Sequence, residues 1–553
     1  MVILLPALHL ALTFSLHTPA IIHLDENAYV VSARLLSEDG TFARTVEDQP
    51  VFQGRLWIDT GKELISKYPP GFPLLLAVVQ HLFGHESVYF VPPLLMALAV
   101  LAMAWLSWSF FCRDEDSFTS MFYAGLATTF FAFNSTVLIM GTVLFSHAAS
   151  LCAVLFLLLA AHCASGSGRV QTWALVGLLA GLVITIRYSE MILLAPFLLA
   201  FLFCSREDSR LLPRGLWFLL GLALPLMALA YYNFIYFGAP FRTGYAYTDE
   251  ETAFALKHIL TNGPLLLEKF VLSGAGILLP LALWRIFRGQ GMRARKWFAG
   301  TWILLPFLFF GVYYWQPNIN SGMYNSIHMR FLLPMLPVLI LCAVDCLKHV
   351  IKNQLVSLVL IVIVLVTGLR TLAPEHDYIR ERGETIHTFS QKFAPLVKSD
   401  DILFAPVSFL DAVEYDFELT LVQLLYLDYA HEGGRFWQRR RWFRQAGATS
   451  DFRHPTYHQF ARRKMAPALF NAADAKELNR YWHNFLTSAE ASETNVFVLL
   501  SGLNRSALEE IARFEEKFHF TPAGASEGPR TWFLYQLRAK DLSAGAAGAA
   551  GSL

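Results

Sequence analysis

Residues 174–204 read ALVGLLAGLVITIRYSEMILLAPFLLAFLFC, and this stretch decides the kind of fold. It carries only two charged side chains, Arg187 and Glu190. A helix needs about 20 apolar residues, or as few as about 17, to cross the hydrocarbon core of a membrane. The stretch therefore predicts two consecutive membrane-spanning helices that meet at a polar break.

Apolar runs of similar length recur through the first two thirds of the chain. In lipid the backbone must satisfy its own hydrogen bonds, so such runs are helical. The candidate spans are 1–22, 87–112, 118–136, 146–164, 170–187, 188–204, 215–237, 264–287, 297–316, 329–348 and 354–372. The first run lacks the basic start and small-residue cleavage site of a signal peptide, so we expect an uncleaved span. The shorter run 72–84 predicts an interfacial or re-entrant helix.

The composition agrees with a chain that faces lipid. Of its 553 residues 55% are hydrophobic and 16% charged, and the mean hydropathy is +0.43. Soluble domains carry about 25% charged residues, so an ordinary soluble enzyme and a disordered chain are excluded. The net charge of +1 gives no field that would attract nucleic acid. The six cysteines lie in or beside apolar runs and form no disulfide framework.

Basic residues in short loops predict the orientation. The segments 205–214 and 288–296 and the link after residue 348 are rich in Lys and Arg, which is typical of cytoplasmic loops. Counting spans from these loops puts the polar segment 23–70 and everything after residue 373 on the extracytoplasmic face. Residues 1–372 would then form a helical membrane domain of about 11–13 spans.

The segment 373–542 has the charge density of a soluble domain. Strand-like runs occur at 401–405, 496–500 and 532–537, and 507–518 has a helical pattern. This alternation predicts a small extracytoplasmic α/β domain. Residues 543–553 form a Gly/Ala low-complexity tail. The basic and aromatic run 435–444 suits either contact with anionic lipid or glycan, or a solvated helix face.

Three polar groups stand where lipid tolerates polarity poorly. Asp25 and Glu26 follow the first span and predict a bound cation, an acid/base pair or a solvated helix end. Lys67 and Tyr68 precede a Pro-Pro break, where they could reach an anionic head group or belong to an interfacial aromatic belt. Arg187 suits a phosphate, or a pair with Glu190 inside the protein.

Further polar residues fall on the same predicted face. Arg242 and Tyr245 lie in a Gly- and Pro-containing loop that reads as ordered. Asn325, His328 and Arg330 stand at the mouth of a later span, and His147 stands at the start of 146–164, as a ligand or as a helix-end donor. Their shared face predicts one polar cavity at the membrane boundary that binds an anionic lipid head group and a hydroxyl acceptor.

The order of these motifs resembles a known group. Asp-Glu follows the first span, and Lys-Tyr-Pro-Pro, an internal Arg, Phe-Gly-x-Pro and Arg-Phe-Leu-Leu-Pro come later. This order resembles the GT-C glycosyltransferases, in particular the protein O-mannosyltransferases and aminoarabinose transferases. The resemblance covers residues 1–372, and the C-terminal domain is similar in placement to that of the aminoarabinose transferases.

The resemblance implies transfer of a sugar from a polyprenyl-phosphate donor to a glycan, lipid or protein hydroxyl, in a bacterial inner membrane. It makes Asp25 the general base and Glu26 its partner. It puts Lys67, Tyr68, Arg187 and Arg330 near the donor phosphate. We expect the remaining polar residues to contact substrate or acceptor, namely His147, Arg242, Tyr245, Asn325 and His328.

Two points stay open at this level. Some relatives hold a metal with a Glu just before the Lys-Pro segment, but Ser66 occupies that position here. The sequence therefore leaves open whether a divalent metal binds. A transporter or flippase of lipid-linked saccharides would share the many spans and the polar cavity, although it would need neither an extracytoplasmic carboxylate pair nor the terminal domain.

Overall fold

The structure is a computed structural model, and it describes most of the first 392 residues and five strands after them. The described ranges are 3–45, 56–60, 63–112, 118–204, 211–248, 254–288, 293–313, 324–392, 396, 402–405, 420–423, 495–501, 518–525 and 532–539. The basic run 435–444, the helical pattern at 507–517 and the tail 543–553 lie outside them.

The described chain up to residue 392 is mainly helical, as expected. Its sixteen α-helices are α1 Leu4–Leu16, α2 Leu24–Asp39, α3 Gly71–Phe83, α4 Val91–Phe111, α5 Phe118–Ala132, α6 Ser135–Met140, α7 Ser146–Ser167, α8 Thr172–Ile186, α9 Leu194–Cys204, α10 Leu211–Phe237, α11 Ile259–Leu272, α12 Ala275–Arg288, α13 Arg293–Gly311, α14 Tyr324–Met329, α15 Leu336–Cys346 and α16 Gln354–Lys392. Short 3-10 helices join some of them, including Tyr188–Leu193 and Arg330–Met335.

Several helices are long and apolar enough to cross a membrane, so the chain is an integral membrane protein. Among the described residues five pass this test, namely His85–Phe111, Ser146–Ser167, Leu212–Phe237, Arg330–Ile351 and Gln354–Glu384. A bent pair, Asn262–Leu272 with Ala275–Arg288, would make a sixth. Four shorter apolar helices, Leu4–Leu16, Gly71–Phe83, Thr172–Ile186 and Tyr188–Phe201, accompany them. The total of 11–13 crossings stays a prediction.

The predicted span 264–287 is broken in the structure. α11 and α12 meet at an angle of 102°, and Gly274 at the break has a φ of +81°. The side-chain amide of Asn134 donates to the carbonyl of Ser273 at 3.1 Å, which satisfies a backbone group that the break leaves open. Apolar composition alone did not reveal the bend, because both halves read as one continuous run.

The last predicted span, 354–372, lies within a longer helix. α16 continues without interruption to Lys392 and contains Pro374. Glu375 within this extension is buried and accepts from the backbone N–H of Ser326 at 2.9 Å and from its hydroxyl. The predicted domain boundary at 373 therefore falls inside a helix, and the domain limits stay a prediction.

Close packing of α8 on α10 positions the polar break after α8. A Cβ on Gly177 would lie 2.8 Å from the backbone N of Leu222, and one on Gly221 would lie 2.7 Å from the carbonyl carbon of Ala174. Small residues allow helix backbones in lipid to approach this closely. α8 then ends at Ile186, and Arg187 takes an extended conformation before the next helical turn, as the sequence predicts.

The polar segment after α1 is not a simple loop. It contains α2 and three short strands, β1 Ala43–Thr45, β2 Trp57–Asp59 and β3 Glu63–Ser66, in the sheet order β1-β3-β2. The following run 72–84 forms the short helix α3, which agrees in length with the prediction.

The described part of the C-terminal segment is a five-stranded mixed sheet. The strands β4 Ile402–Ala405, β5 Thr420–Gln423, β6 Val496–Ser501, β7 Phe518–Ala525 and β8 Trp532–Ala539 take the order β5-β4-β6-β8-β7. β4 pairs in parallel with β5 and β6, whereas β8 pairs antiparallel with β6 and β7. The three predicted strands are confirmed, and β5 and β7 were missed.

The chain divides into two compact units. The first comprises Met1–Pro19, Ser32–Arg44 and Ile65–Arg380, and it holds nearly all of the apolar helices. The second comprises Ala20–Val31, Thr45–Leu64 and Glu381–Leu553. Asp25 and Glu26 belong to the second unit, and the other candidate site residues belong to the first.

Candidate active site

The segment from Lys67 to Gly71 is held by two close backbone contacts. A Cβ on Gly71 would lie 2.6 Å from the carbonyl oxygen of Thr185, near the end of α8. A Cβ on Gly244 would lie 2.8 Å from the carbonyl carbon of Lys67 and still nearer to its Cα. The Pro-Pro break before α3 is thus fixed between α8 and the loop that carries Tyr245.

Lys67 lies among aromatic rings. Its side chain is buried, and its Nζ is 5.1 Å from the ring centre of Tyr245 and 5.6 Å from that of Tyr68. The Tyr245 ring also contacts the Tyr188 ring edge-on at 5.9 Å. The Tyr188 hydroxyl donates to Asn233 at 2.8 Å, so the aromatic group is anchored on α10. Cation–π contact stabilises a buried ammonium without neutralising its charge.

Arg187 bridges the end of α8 and the start of α7. Its Nε donates to Glu190 at 3.1 Å, and its Nη1 contacts Ser146 at 3.2 Å and His147 Nδ1 at 3.4 Å. The pair with Glu190 that the sequence left open is therefore present. The same guanidinium also reaches α7, so the pair does not account for all of its hydrogen bonding.

Arg330 begins the 3-10 turn ahead of α15. Its guanidinium carbon lies 4.7 Å from the ring centre of Phe145 and 4.9 Å from that of Phe331. Trp302 on α13 fixes this turn by donating from its indole N–H to the carbonyl of Pro334 at 2.8 Å. The Phe331 ring also lies 6.0 Å from the guanidinium of Arg187, so it links the two arginines.

The Phe331 ring therefore joins Arg187 and Arg330. Lys67 is linked to them less directly, through the rings of Tyr245 and of Tyr188, which is the residue after Arg187. We call Lys67, Arg187 and Arg330, with His147 and Glu190, the cationic cluster. Lys67 precedes α3, Arg187 follows α8, His147 lies in the first turn of α7, and Arg330 begins the turn before α15. α15 runs from this turn towards Lys348, at the start of one of the basic segments that predict the cytoplasmic face. With three cationic side chains and one carboxylate, the cluster has the charge to bind an anion.

The other predicted contacts divide in two. Tyr245 belongs with Lys67, and buried His328 lines a small cavity with Phe331, which contacts Arg187 and Arg330. Arg242 is instead exposed, and its guanidinium carbon lies 4.5 Å from the ring centre of Tyr247. Asn325 lies on α14, but its side chain is outside the described residues.

Asp25 and Glu26 occupy the first turn of α2. Glu26 is fully buried and accepts from the backbone N–H groups of Ile22 at 2.6 Å and His23 at 3.2 Å. This is the reciprocal half of a capping box, in which an acidic residue satisfies open donors at the helix start. Asp25 is buried, and its carboxylate lies 3.7 Å from His23 Nδ1. The two adjacent carboxylates thus have different surroundings.

The described residues show no group of three or more His, Cys, Asp or Glu side chains arranged to hold a metal ion. Ser66, at the position where some relatives carry a Glu, is buried and its hydroxyl accepts from the backbone N–H of Tyr68 at 3.3 Å.

Residues 67–232 match the family described as dolichyl-phosphate-mannose-protein mannosyltransferase. The structure matches crystal structures of ArnT from Cupriavidus metallidurans, one bound to undecaprenyl phosphate and one in the apo state. The TM-scores are 0.58 and 0.55, each at 11% identity over 96% of this chain and 97% of that chain.

The chain therefore has the fold of ArnT, which is of the GT-C type. The resemblance that the motif order predicts is thereby confirmed, and the GT-C likeness extends beyond residue 372 to nearly the whole chain. No curated protein sequence matches the chain significantly. The family match begins at Lys67 and includes Arg187, so two of the three cations fall within the matched segment.

Three residues that contact the cationic cluster were not predicted from the sequence. Phe145 and Phe331 provide the faces under Arg330, and Ser146 holds Arg187. Phe145 and Ser146 stand directly before His147, and Phe331 stands directly after Arg330. All three are thus neighbours in sequence of residues that were predicted to belong to the site. The two aromatic rings lie in apolar runs, so no polarity marks them.

Proposed function

We propose that this protein transfers a sugar from a polyprenyl-phosphate donor to a hydroxyl acceptor on the extracytoplasmic side of a bacterial inner membrane. The observation that carries the proposal is the cationic cluster, in which the buried or part-buried Arg187 and Arg330 share the Phe331 ring and Lys67 is buried beside the Tyr245 ring. The match to the mannosyltransferase family and to the structure of ArnT bound to undecaprenyl phosphate supports the choice of a lipid-linked donor.

In the proposed reaction Asp25 accepts the proton of the acceptor hydroxyl. The hydroxyl oxygen forms a bond to the anomeric carbon of the sugar, and the bond between that carbon and the phosphate oxygen breaks. The lipid phosphate leaves with the electron pair. Lys67, Arg187 and Arg330 stabilise the charge that develops on it, which is an electrostatic contribution of the oxyanion-hole kind.

Glu26 has a different role in this proposal from the one that the resemblance implies. Its carboxylate already accepts two backbone hydrogen bonds, so we assign it to holding the first turn of α2. Asp25, one residue earlier, is then the group oriented by that turn.

The proposal is tested with the full chain in lipid nanodiscs. Transfer of a labelled sugar from a polyprenyl-phosphate donor is measured for Asp25→Asn and for Asp39→Asn, an exposed carboxylate on the same helix. Loss of a general base lowers the rate by about 100-fold or more, whereas Asp39→Asn should leave it unchanged. Full activity of Asp25→Asn would remove the general-base assignment.

Donor binding is tested separately with undecaprenyl phosphate. Lys67→Met and Arg330→Gln should each weaken binding, and the exposed-residue variants Lys257→Met and Arg169→Gln should not. A flippase of lipid-linked saccharides would instead move the donor across liposomes and form no new glycosidic bond. That outcome would replace the transferase by a transporter.

A further inference from the structure

His147 is a buried member of the cationic cluster, and the charge of the cluster does not explain its role. It lies at the start of α7 with only 4% of its surface exposed, and it forms neither a metal site nor an ion pair within the described residues. We propose that His147 is a neutral hydrogen-bond donor that binds a phosphate oxygen of the donor substrate through Nε2–H. This inference rests on the proposed function and adds a residue with a defined tautomer to it.

The tautomer follows from Arg187. Its Nη1 lies 3.4 Å from His147 Nδ1, and a guanidinium can only donate. His147 Nδ1 must therefore accept, so the neutral ring carries its proton on Nε2. Arg187 also binds Ser146 and Glu190, which holds the guanidinium in the orientation that imposes this tautomer.

The donating atom is buried without a protein acceptor. Within the described residues His147 Nε2 has no hydrogen-bond partner. Leaving a buried donor unsatisfied destabilises a protein, and native structures rarely do so without a reason. A ligand that supplies an acceptor oxygen removes this penalty when it binds.

The surroundings of the ring point to an anion as that ligand. The centre of the imidazole ring lies 5.8 Å from that of Phe145 and 5.9 Å from that of Phe331, both edge-on. These two rings also contact the guanidinium of Arg330. His147 is thus next to Arg187 through a hydrogen bond and next to Arg330 through shared aromatic neighbours. A phosphate oxygen bound by the two arginines would be a suitable acceptor for Nε2–H.

Two substitutions separate donation by Nε2 from acceptance by Nδ1. His147→Asn keeps a short side chain whose oxygen can accept from Arg187, but it has no donor at the position of Nε2. His147→Gln places an amide N–H near that position. We expect His147→Asn to weaken undecaprenyl phosphate binding in nanodiscs by about 10-fold, because one donor to a charged acceptor is lost, and His147→Gln to stay within about threefold of wild type.

The measurements are dissociation constants for undecaprenyl phosphate and for inorganic phosphate, with thermal unfolding of each variant. Wild-type affinity in His147→Asn, with Arg330→Gln impaired, would overturn the role of His147 and leave the proposed function standing. If both His147 variants lose affinity to the same extent and also unfold at a lower temperature, His147 has a packing role. That result would also overturn its role as a donor. Inorganic phosphate bound as tightly as the lipid, with the same dependence on His147, would assign the site to a soluble anion. If neither Arg330→Gln nor Lys67→Met affects binding of the lipid, the proposed function itself fails.

Discussion

Gly244 lies directly against the backbone of Lys67. A side chain on Gly244 would overlap the Cα and carbonyl of Lys67, so the loop after α10 can approach the cationic cluster only because this residue has no Cβ. The contact brings Tyr245 to the ammonium of Lys67, although nearly two hundred residues separate the two in sequence.

Gly244→Ala should therefore damage donor binding more than it damages the fold. The added methyl group pushes the loop away from Lys67, and displacements of about 1 Å near a reacting group lower rates by up to about 100-fold. The measurement is kcat/KM for sugar transfer, together with thermal unfolding. Gly215→Ala is the matched control, because a Cβ there meets no atom within 4 Å. Equal activity of the two variants would contradict the positioning role of Gly244.

The pair of Arg187 and Glu190 should be needed for stability as well as for function. Both side chains are largely buried, and removing one partner of a buried ion pair destabilises a protein by about 3 kcal/mol or more. Glu190→Ala should lower the free energy of unfolding by this amount, and Glu86→Ala, an exposed carboxylate, should not. Chemical denaturation in mild detergent measures the difference.

Replacing both members of the pair separates its two roles. In the double variant Arg187→Met with Glu190→Met no charge is left buried alone, so much of the stability should return. Sugar transfer should remain lost, because the guanidinium is absent. Recovery of activity along with stability would show that Arg187 serves only the fold.

Arg330 should not be replaceable by lysine. Its planar guanidinium contacts two aromatic rings, and a compact ammonium can neither stack in this way nor bind phosphate with two parallel donors. We expect Arg330→Lys to weaken undecaprenyl phosphate binding by about 10-fold. The exposed substitution Arg169→Lys serves as the comparison, and near-wild-type binding by Arg330→Lys would mean that charge alone is sufficient.

Substitution of Glu26 should affect stability, whereas substitution of Asp25 should affect sugar transfer. Glu26→Ala removes the acceptor of two backbone N–H groups, so it should lower stability by about 1–3 kcal/mol, and Glu26→Gln should recover part of the loss because the amide oxygen still accepts. Asp25→Asn should lose transfer activity with an unfolding temperature close to wild type. Unfolding curves and initial rates, measured on the same preparations, test both statements, with Asp39→Ala as the control on α2.

The residues of the candidate site were largely visible in the sequence because lipid makes polarity conspicuous. Arg187, His147 and Arg330 stand out as polar positions at the ends of apolar runs, and the Pro-Pro break marks Lys67. The two glycine contacts, the rings under Arg330 and the role of Glu26 were not visible. Each depends on what a side chain or backbone touches across a long stretch of sequence, and a small or apolar residue gives no local sign of such a contact.

The sequence by itself determined that the chain is a helical membrane protein, because long uncharged runs have no other stable arrangement in lipid. It also indicated the breaks at Arg187 and at the Pro-Pro pair after Lys67, but not the break at Gly274. Only the tertiary structure decided which breaks meet. The bend between α11 and α12, the length of α16 and the assembly of Lys67, Arg187 and Arg330 follow from packing of surfaces distant in sequence, and a pattern of hydrophobicity along the chain contains no information about which helix faces lie together.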